Sequence, residues 1–318
     1  MKLRGERVVV TGGAGFLGSH VADALAGTSS VIAVDDLSSG RLKNLAAARK
    51  AGAAFVKRDL QRGDAAKLFR GAAFVFHYAA NPDVRSAAAD PNPTFASNVV
   101  LTHRVLDACR RADVKRFCLA STSTVYGEAT IVPTSEDYGP LQPKSVYGGS
   151  KLACEGMASA FAHAYGLEAV ILRYANVVGG RSRHGVVVDL CRKLARDPHS
   201  LEILGREPGT AKSYVYVDDA VRGTVAAAET GRAPVDAFNV GSDDAITVRE
   251  IADVVVRESG LKGVEFRWTG GVAGGGWVGD VLRMVLATDK LRATGWRPQY
   301  RSAEAVAQAA RDWRFLRG

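Results

Sequence analysis

Cysteine is scarce in this chain: Cys109, Cys118, Cys154 and Cys191 are the only four in 318 residues, widely spaced and without a C-x-x-C pair. That spacing excludes a disulfide framework, and the apolar surroundings of each thiol point to buried, free cysteines in a reducing compartment. No apolar run approaches the roughly 18 residues of a membrane span. The opening "MKLRGERVVVTGGAG" passes from charge into valines and glycines without an apolar core of signal-peptide length. A cytoplasmic protein with no membrane partner is the expectation. Internal repeats and low-complexity tracts are also missing, which excludes solenoids and disordered linkers. Histidine is sparse, and His77 has no second histidine or carboxylate at ligand spacing, so no metal site is expected.

The formal charge of +9 raises the question of a nucleic-acid partner. Lysines and arginines come in ones and twos ("RLKN", "RSR", "CRK"), with no run of five or six and no basic-aromatic repeat. Nucleic acid is therefore not expected. The charge suits a small anionic substrate as well.

What the chain does have is 47% hydrophobic residues, ample for a core, and a regular alternation. Short β-branched runs, "VVVT", "VIAVD", "AFVKRD", "AFVFHYAA", "RFCLAS" and "AVILRY", are separated by segments of helix length. Runs apolar on every residue suit strands buried on both faces, and the alternation implies βαβ units in a parallel sheet. An α/β, doubly wound fold follows. After Tyr174 the rhythm breaks into loop-like "ANVVGGRSRHG" and a helix "VVVDLCRKLARD", then resumes briefly with "SYVYVDDAVRGTVAAAE" and "AFNVG". The expected division is a nucleotide-binding domain, 1–174 plus 213–241, and a smaller discontinuous lobe, 175–212 plus 242–318, with the site between them.

"VVVTGGAGFLGSH" places Gly12, Gly15 and Gly18 at a strand-to-helix turn. There the backbone can bend tightly and approach a pyrophosphate that rests on the helix amino terminus. The second strand ends in Asp35, seventeen residues after Gly18, where a carboxylate can accept hydrogen bonds from both adenosine ribose hydroxyls. Such a carboxylate repels a 2′-phosphate and favours NAD over NADP, although Arg41 lies nearby.

Tyr147 and Lys151 stand one helical turn apart and share a face. An ammonium beside a phenol favours the phenolate, so the tyrosine is expected to serve as a general base. "STSTVYG", residues 121–127, follows the strand "RFCLA" and so lies at a carboxyl end, where one of its hydroxyls can hold the substrate oxygen that Tyr147 deprotonates.

On these motifs, together with "VDDLSSG", "RDL", "HYAANP", "NVVLTHRVLDAC", "RYANVVGG" and "YVYVDD", the chain resembles the extended short-chain dehydrogenases/reductases of the nucleotide-sugar epimerase and dehydratase family nearly end to end. The resemblance implies a Rossmann sheet and NAD. It makes Thr122 the catalytic hydroxyl, with Ser123 as the other candidate, beside Tyr147 and Lys151. It extends the cofactor site to Phe16, Leu17, Asp36, Ser38, Ser39, Gly40, Asp59, Leu60, Ala79, Ala80, Asn98, Tyr174 and Val177. It implies a homodimer built on the helices of "NVVLTHRVLDACRRA" and Tyr147. Dehydratases of the family carry an Asp-Glu pair, and decarboxylases a glutamate, within the equivalent of "STSTVYG". Ser123 and Thr124 cannot act as such acids, so the implied chemistry is oxidation and return of hydride, as in the 4-epimerases.

A UDP-sugar substrate follows by resemblance, with Asn176, Gly185, Val186, Leu204, Lys212, Tyr214 and Asp280 as candidate contacts alongside Thr122 and Ser123. The family's diphosphate arginines are replaced by Lys212 and Trp277, and Lys212 can still offer a point charge. Arg192 interrupts an otherwise apolar helical stripe, near Arg181, Arg183 and His184. A neutral hexose needs no such cation, whereas a C6 carboxylate would gain a charge-assisted contact, which puts UDP-glucuronate ahead of UDP-glucose. Arg192 reaching solvent or pairing with Asp189 is the other reading. From another class, a dinucleotide-binding scaffold without turnover would have little need of Tyr147, Lys151 and Thr122 together.

Overall fold

The computed structural model describes residues 1–84, 86–272 and 275–315; Ala273 and Gly274, in the glycine-rich stretch before Trp277, lie outside them. Seven strands form one parallel sheet: β1 (Arg7–Thr11), β2 (Ser30–Asp35), β3 (Ala54–Lys57), β4 (Phe74–His77), β5 (Arg116–Thr122), β6 (Glu168–Tyr174) and a late strand, β11 (Val235–Val240). Their spatial order is β11-β6-β5-β4-β1-β2-β3. The direction of winding reverses between β1 and β4, and the crevice outside their carboxyl ends is where open α/β sheets bind ligands.

The apolar runs become strands because both faces are covered. Successive residues face opposite sides. Val8 and Val10, Phe74 and Phe76, and Cys118 and Ala120 enter one core, while Val9, Val75, Phe117 and Leu119 enter the other. All seven residues of β5 are buried. The four cysteines are buried, as the sequence reading expected.

The helix Phe16–Ala26 follows β1 directly. The helix Val146–Tyr165 carries the Tyr-Lys pair; Ser145 caps its first turn by accepting the Gly148 N–H at 3.0 Å, and Gly166, at φ +72°, ends it in the left-handed region. It lies against Leu101–Arg111, which continues from a π-helical turn at Phe95–Val100.

The rest of the chain supplies smaller sheets. The strand β7 (Asn176–Val178) pairs in parallel with β10 (Tyr214–Tyr216), and β8 (Ser200–Ile203) with β13 (Glu265–Trp268). A third set has β9 (Ala211–Lys212) between β12 (Ile246–Thr247) and β14 (Arg283–Met284). The segment 213–216 thus pairs outside the main sheet, and the chain returns to that sheet through the helix Val217–Thr230 and β11. Among the described residues no helix is long and apolar enough to cross a membrane.

Candidate active site

The glycine turn is tight enough to exclude any side chain. Gly12 has φ +65°, and a Cβ there would lie 2.6 Å from the Ala79 nitrogen. A Cβ on Gly18 would lie 2.3 Å from the Gly12 carbonyl oxygen, and one on Gly15, the residue before the helix, 3.0 Å from the same oxygen. Phe16 and Leu17 open the helix. The result is a backbone cradle at a helix amino terminus.

Asp35 ends β2 nearly buried, its carboxylate accepting the N–H of Ala14 at 3.0 Å and of Leu37 at 2.7 Å. Burial raises its pKa above the usual range, and those two N–H donors oppose the rise. A Cβ on Gly40 would come within 2.8 and 2.9 Å of the two carboxylate oxygens, so only glycine leaves that face clear. Asp36 caps Ser38 through both its N–H and its hydroxyl, and the Ser39 carbonyl accepts from Arg183. Asp59 accepts the Gln61 N–H beside buried Leu60. Ala79 and Ala80 are half-buried just past β4. A glycine cradle with a ribose-reading carboxylate beyond it fits a dinucleotide.

At the carboxyl end of β5, Thr122 is nearly buried, and its hydroxyl oxygen accepts the Thr124 N–H at 3.2 Å and meets the Thr124 hydroxyl at the same distance. Ser123 is buried beside it. Lys151 is also buried and donates to the Ala120 carbonyl at 2.9 Å. This departs from the expected pairing in one respect. The Lys151 ammonium is engaged by the strand, and burial pushes the Tyr147 phenol up to about 12 rather than down. Burial likewise lowers Lys151. The two side chains share a helix face as expected, and burial by itself favours the neutral phenol.

Other expected cofactor residues are already engaged. Asn98 accepts the Asn81 N–H at 2.8 Å and donates to the Ser150 hydroxyl at 2.9 Å, fixing the loop after β4 to the Tyr-Lys helix. The Tyr174 hydroxyl meets those of Tyr78 at 2.9 Å and Thr224 at 2.6 Å, so its ring alone can contribute to an apolar wall; Val177 packs nearby in β7. His77 is wedged between the Thr11 and Thr102 hydroxyls, and burial pushes it down to about 3. It is a neutral structural histidine.

On the substrate side, Gly185 (φ +96°) precedes the helix Val186–Leu194. Val187, Leu190 and Leu194 face the core, while Val186, Asp189 and Arg192 form a half-buried stripe. Burial lowers the pKa of His184, just before it, and the charges of Asp83, from the loop after β4, Asp189 and Arg192 also act on it. Among the described residues Arg192 makes no hydrogen bond or ion pair. Arg181, by contrast, is bound to Asp23 at 2.5 Å and to the Ser19 hydroxyl. Asn176 spends one amide hydrogen on the Ser213 carbonyl. Lys212, expected as a free point charge, is neutralised by buried Asp280 at 2.5 Å. Tyr214 is buried within reach of the Asp280 charge, and Leu204 and Trp277 are half-buried.

Sequence reasoning missed a buried polar group directly behind the hydroxyl turn. Ser121, Glu155, Arg173, Tyr126 and Asn239 are hydrogen-bonded in a chain. A signal was present: Arg173 interrupts an apolar strand, and Glu155 continues the Tyr147–Lys151 face by one more turn.

Comparison with known proteins agrees with this geometry. Residues 8–241 match the NAD dependent epimerase/dehydratase family. The UDP-glucose 4-epimerase of Mycolicibacterium smegmatis is 33% identical over 320 residues, covering 97% of this chain and 98% of that protein. A crystal structure of UDP-galactose 4-epimerase is 43% identical, with a TM-score of 0.85 over 98% of this chain and 99% of its own. A UDP-glucuronic acid 4-epimerase variant from Bacillus cereus, solved with a fluorinated UDP-glucuronic acid and NAD, is 27% identical, with a TM-score of 0.87 over 98% of this chain and 99% of its own. The chain is a member of the NAD dependent epimerase/dehydratase family.

Proposed function

We propose that the protein is an NAD-dependent UDP-sugar 4-epimerase whose site lies between the main sheet and the lobe built from 175–212 and 242–318. The observation that carries this reading is a hydroxyl turn without a carboxylic acid, set against the Tyr147–Lys151 helix. Tyr147 takes the proton of the sugar 4-hydroxyl, and Thr122 hydrogen-bonds the same oxygen. Bound NAD supplies the hydride acceptor and a positive ring whose charge favours the Tyr147 phenolate. Gly12, Gly15 and Gly18 hold its pyrophosphate, Asp35 the adenosine ribose, and Lys151 its other ribose. With no acid at 123 or 124 to expel a hydroxyl, the 4-keto sugar goes no further than reduction from its other face. Tyr147→Phe is expected to lower kcat by about 10²- to 10⁴-fold with NAD retained; unchanged turnover would remove Tyr147 as the base, and a protein without turnover whose physiological task survives the substitution would support the scaffold reading.

Arg192 favours a C6 carboxylate, hence the UDP-glucuronate/UDP-galacturonate pair. The likeness to UDP-galactose 4-epimerase favours UDP-glucose/UDP-galactose as the second reading. NMR of the products from each sugar decides between them: preference for glucose discards the uronate, and inertness toward both discards these two pairs and moves the test to other nucleotide sugars. Phe95, Val100, Val146 and Tyr165 are exposed on or beside the Leu101–Arg111 and Val146–Tyr165 helices, and we take these two helices as the homodimer face.

A further inference from the structure

Tyr147, Lys151 and Glu155 follow one another at four-residue intervals on one helix face. Lys151 donates to the carbonyl of Ala120, and Glu155 accepts the hydroxyl of Ser121 at 2.5 Å. These anchors are the two residues immediately before Thr122, so successive helical turns grip successive strand residues. Glu155 also holds Arg173 through the guanidinium Nε at 3.1 Å and Nη2 at 2.8 Å, both side chains being nearly inaccessible. From the same guanidinium, Nη1 donates to the Tyr126 hydroxyl at 3.0 Å and to the Glu136 carbonyl at 2.9 Å. Tyr126, beneath that guanidinium, donates its hydroxyl hydrogen bond to Asn239 Oδ1 at 2.7 Å. Asn239 Nδ2 is bound in turn to the carbonyls of Thr134 and Ala287.

Ser121 and Tyr126 bracket the hydroxyl turn. One buried ion pair therefore holds the turn at both ends, and through Glu155 it holds it in register with the helix that carries Tyr147. A buried ion pair is weak support for stability, since apolar residues of equal volume often serve as well. Its retention beneath the reacting groups calls for another role. We propose that Glu155 and Arg173 are positioning residues, fixing the distance between the Thr122 hydroxyl and the Tyr147 phenol through Ser121 and Tyr126. Both charges are engaged within the fold, Glu155 by Ser121 and Arg173, and Arg173 by Glu155, Tyr126 and the Glu136 carbonyl. This rests on the epimerase reading above, because it is the shared alcohol oxygen that makes the Thr122–Tyr147 spacing matter.

Glu155→Gln and Arg173→Met each leave a buried charge unpaired and are prone to misfolding. Ser121→Ala and Tyr126→Phe are the informative variants: each deletes one hydroxyl that connects the pair to the turn and leaves the Glu155–Arg173 contact in place. Measured on purified holoenzyme with its UDP-sugar, each is expected to lower kcat about 10-fold or more, because small misplacements of reacting groups are costly. KM should stay within about twofold, and bound NAD per chain should not change. A fall in kcat with unchanged KM identifies an interaction made in the transition state, which a merely structural hydroxyl would not produce. Wild-type kcat in both variants, or a raised KM with unchanged kcat, overturns the proposal. A wild-type enzyme inert toward every UDP-sugar tested overturns the epimerase reading and this inference with it, and that failure is recognisable because it precedes any variant.

Discussion

Arg192→Met is the most direct probe of substrate choice, because the structure lets its two effects be separated. Methionine keeps the unbranched stem that packs on the half-buried side of the helix Val186–Leu194 and removes only the guanidinium. Among the described residues that group has no hydrogen-bond or ion-pair partner, so its loss orphans nothing within the chain, and stability should change by no more than about 0.5 kcal/mol. A charge-assisted hydrogen bond to a substrate carboxylate contributes about 1.5–3 kcal/mol. At about 1.36 kcal/mol per decade, that predicts a loss of roughly 10- to 150-fold in kcat/KM for UDP-glucuronate. UDP-glucose offers no charge at C6, and its kcat/KM should hold within about twofold. The assay is initial-rate NMR or coupled spectrophotometry on both sugars with wild type and variant, with thermal unfolding as a control. Equal losses on the two sugars would mean that Arg192 acts on the shared UDP portion, and no loss on either would return it to solvent; both results refute the carboxylate argument.

Gly18→Ala places a Cβ 2.3 Å from the Gly12 carbonyl oxygen, where backbone on both sides must shift; the variant should purify with little NAD, measured in the supernatant after denaturation, and wild-type content would refute the cradle. Lys212→Met leaves Asp280 buried without its cation, so thermal stability should fall by about 3–5 kcal/mol. Adding Asp280→Asn should restore stability but not UDP affinity by calorimetry, whereas recovery of both would make Lys212 purely structural. His77 is held near 3 by burial, against about 6.5 unfolded. Between those values only the unfolded chain binds the proton, so the contribution of His77 is complete above pH 6.5 and shrinks as pH falls. The stability gap between wild type and His77→Gln should therefore narrow by about 2 kcal/mol from pH 6.5 to 5 in urea titrations; a gap independent of pH refutes a neutral, buried imidazole.

How much of this was legible in the sequence depended on whether the cause was local. The main-sheet strands were, because burial on both faces writes itself as an apolar run, and β5 is buried along its whole length. The glycine turn was, because three glycines, a helix start and Asp35 are consecutive consequences of one βαβ unit. Partners set by tertiary register were not. The Lys151 ammonium was expected to act on Tyr147 one turn away, yet its acceptor is the Ala120 carbonyl, 31 residues distant, supplied by the docking of helix on strand. Lys212 was expected to offer a point charge to the diphosphate, and Asp280 reaches it from 68 residues away through the pairing of β14 with β9.

The missed Glu155–Arg173 pair shows where a sequence reading can be extended. A strand buried on both faces has no solvent to offer an arginine, so Arg173 within "AVILRY" requires a buried anion and several acceptors. Arg173 is opposite Ser121 in the β5–β6 register, which restricts that anion to elements crossing the carboxyl end of β5. The Tyr147 helix crosses there, and Glu155 is the carboxylate on the Tyr147–Lys151 face. Two motifs already found, one misplaced charge and the β5–β6 register together lead to the third member of the helix stripe. The same reasoning distinguishes Arg173 from Arg192: the first had to find its partner inside the fold, while the second, half-buried on its helix, has no hydrogen-bond or ion-pair partner among the described residues, and a substrate carboxylate is the partner we propose for it.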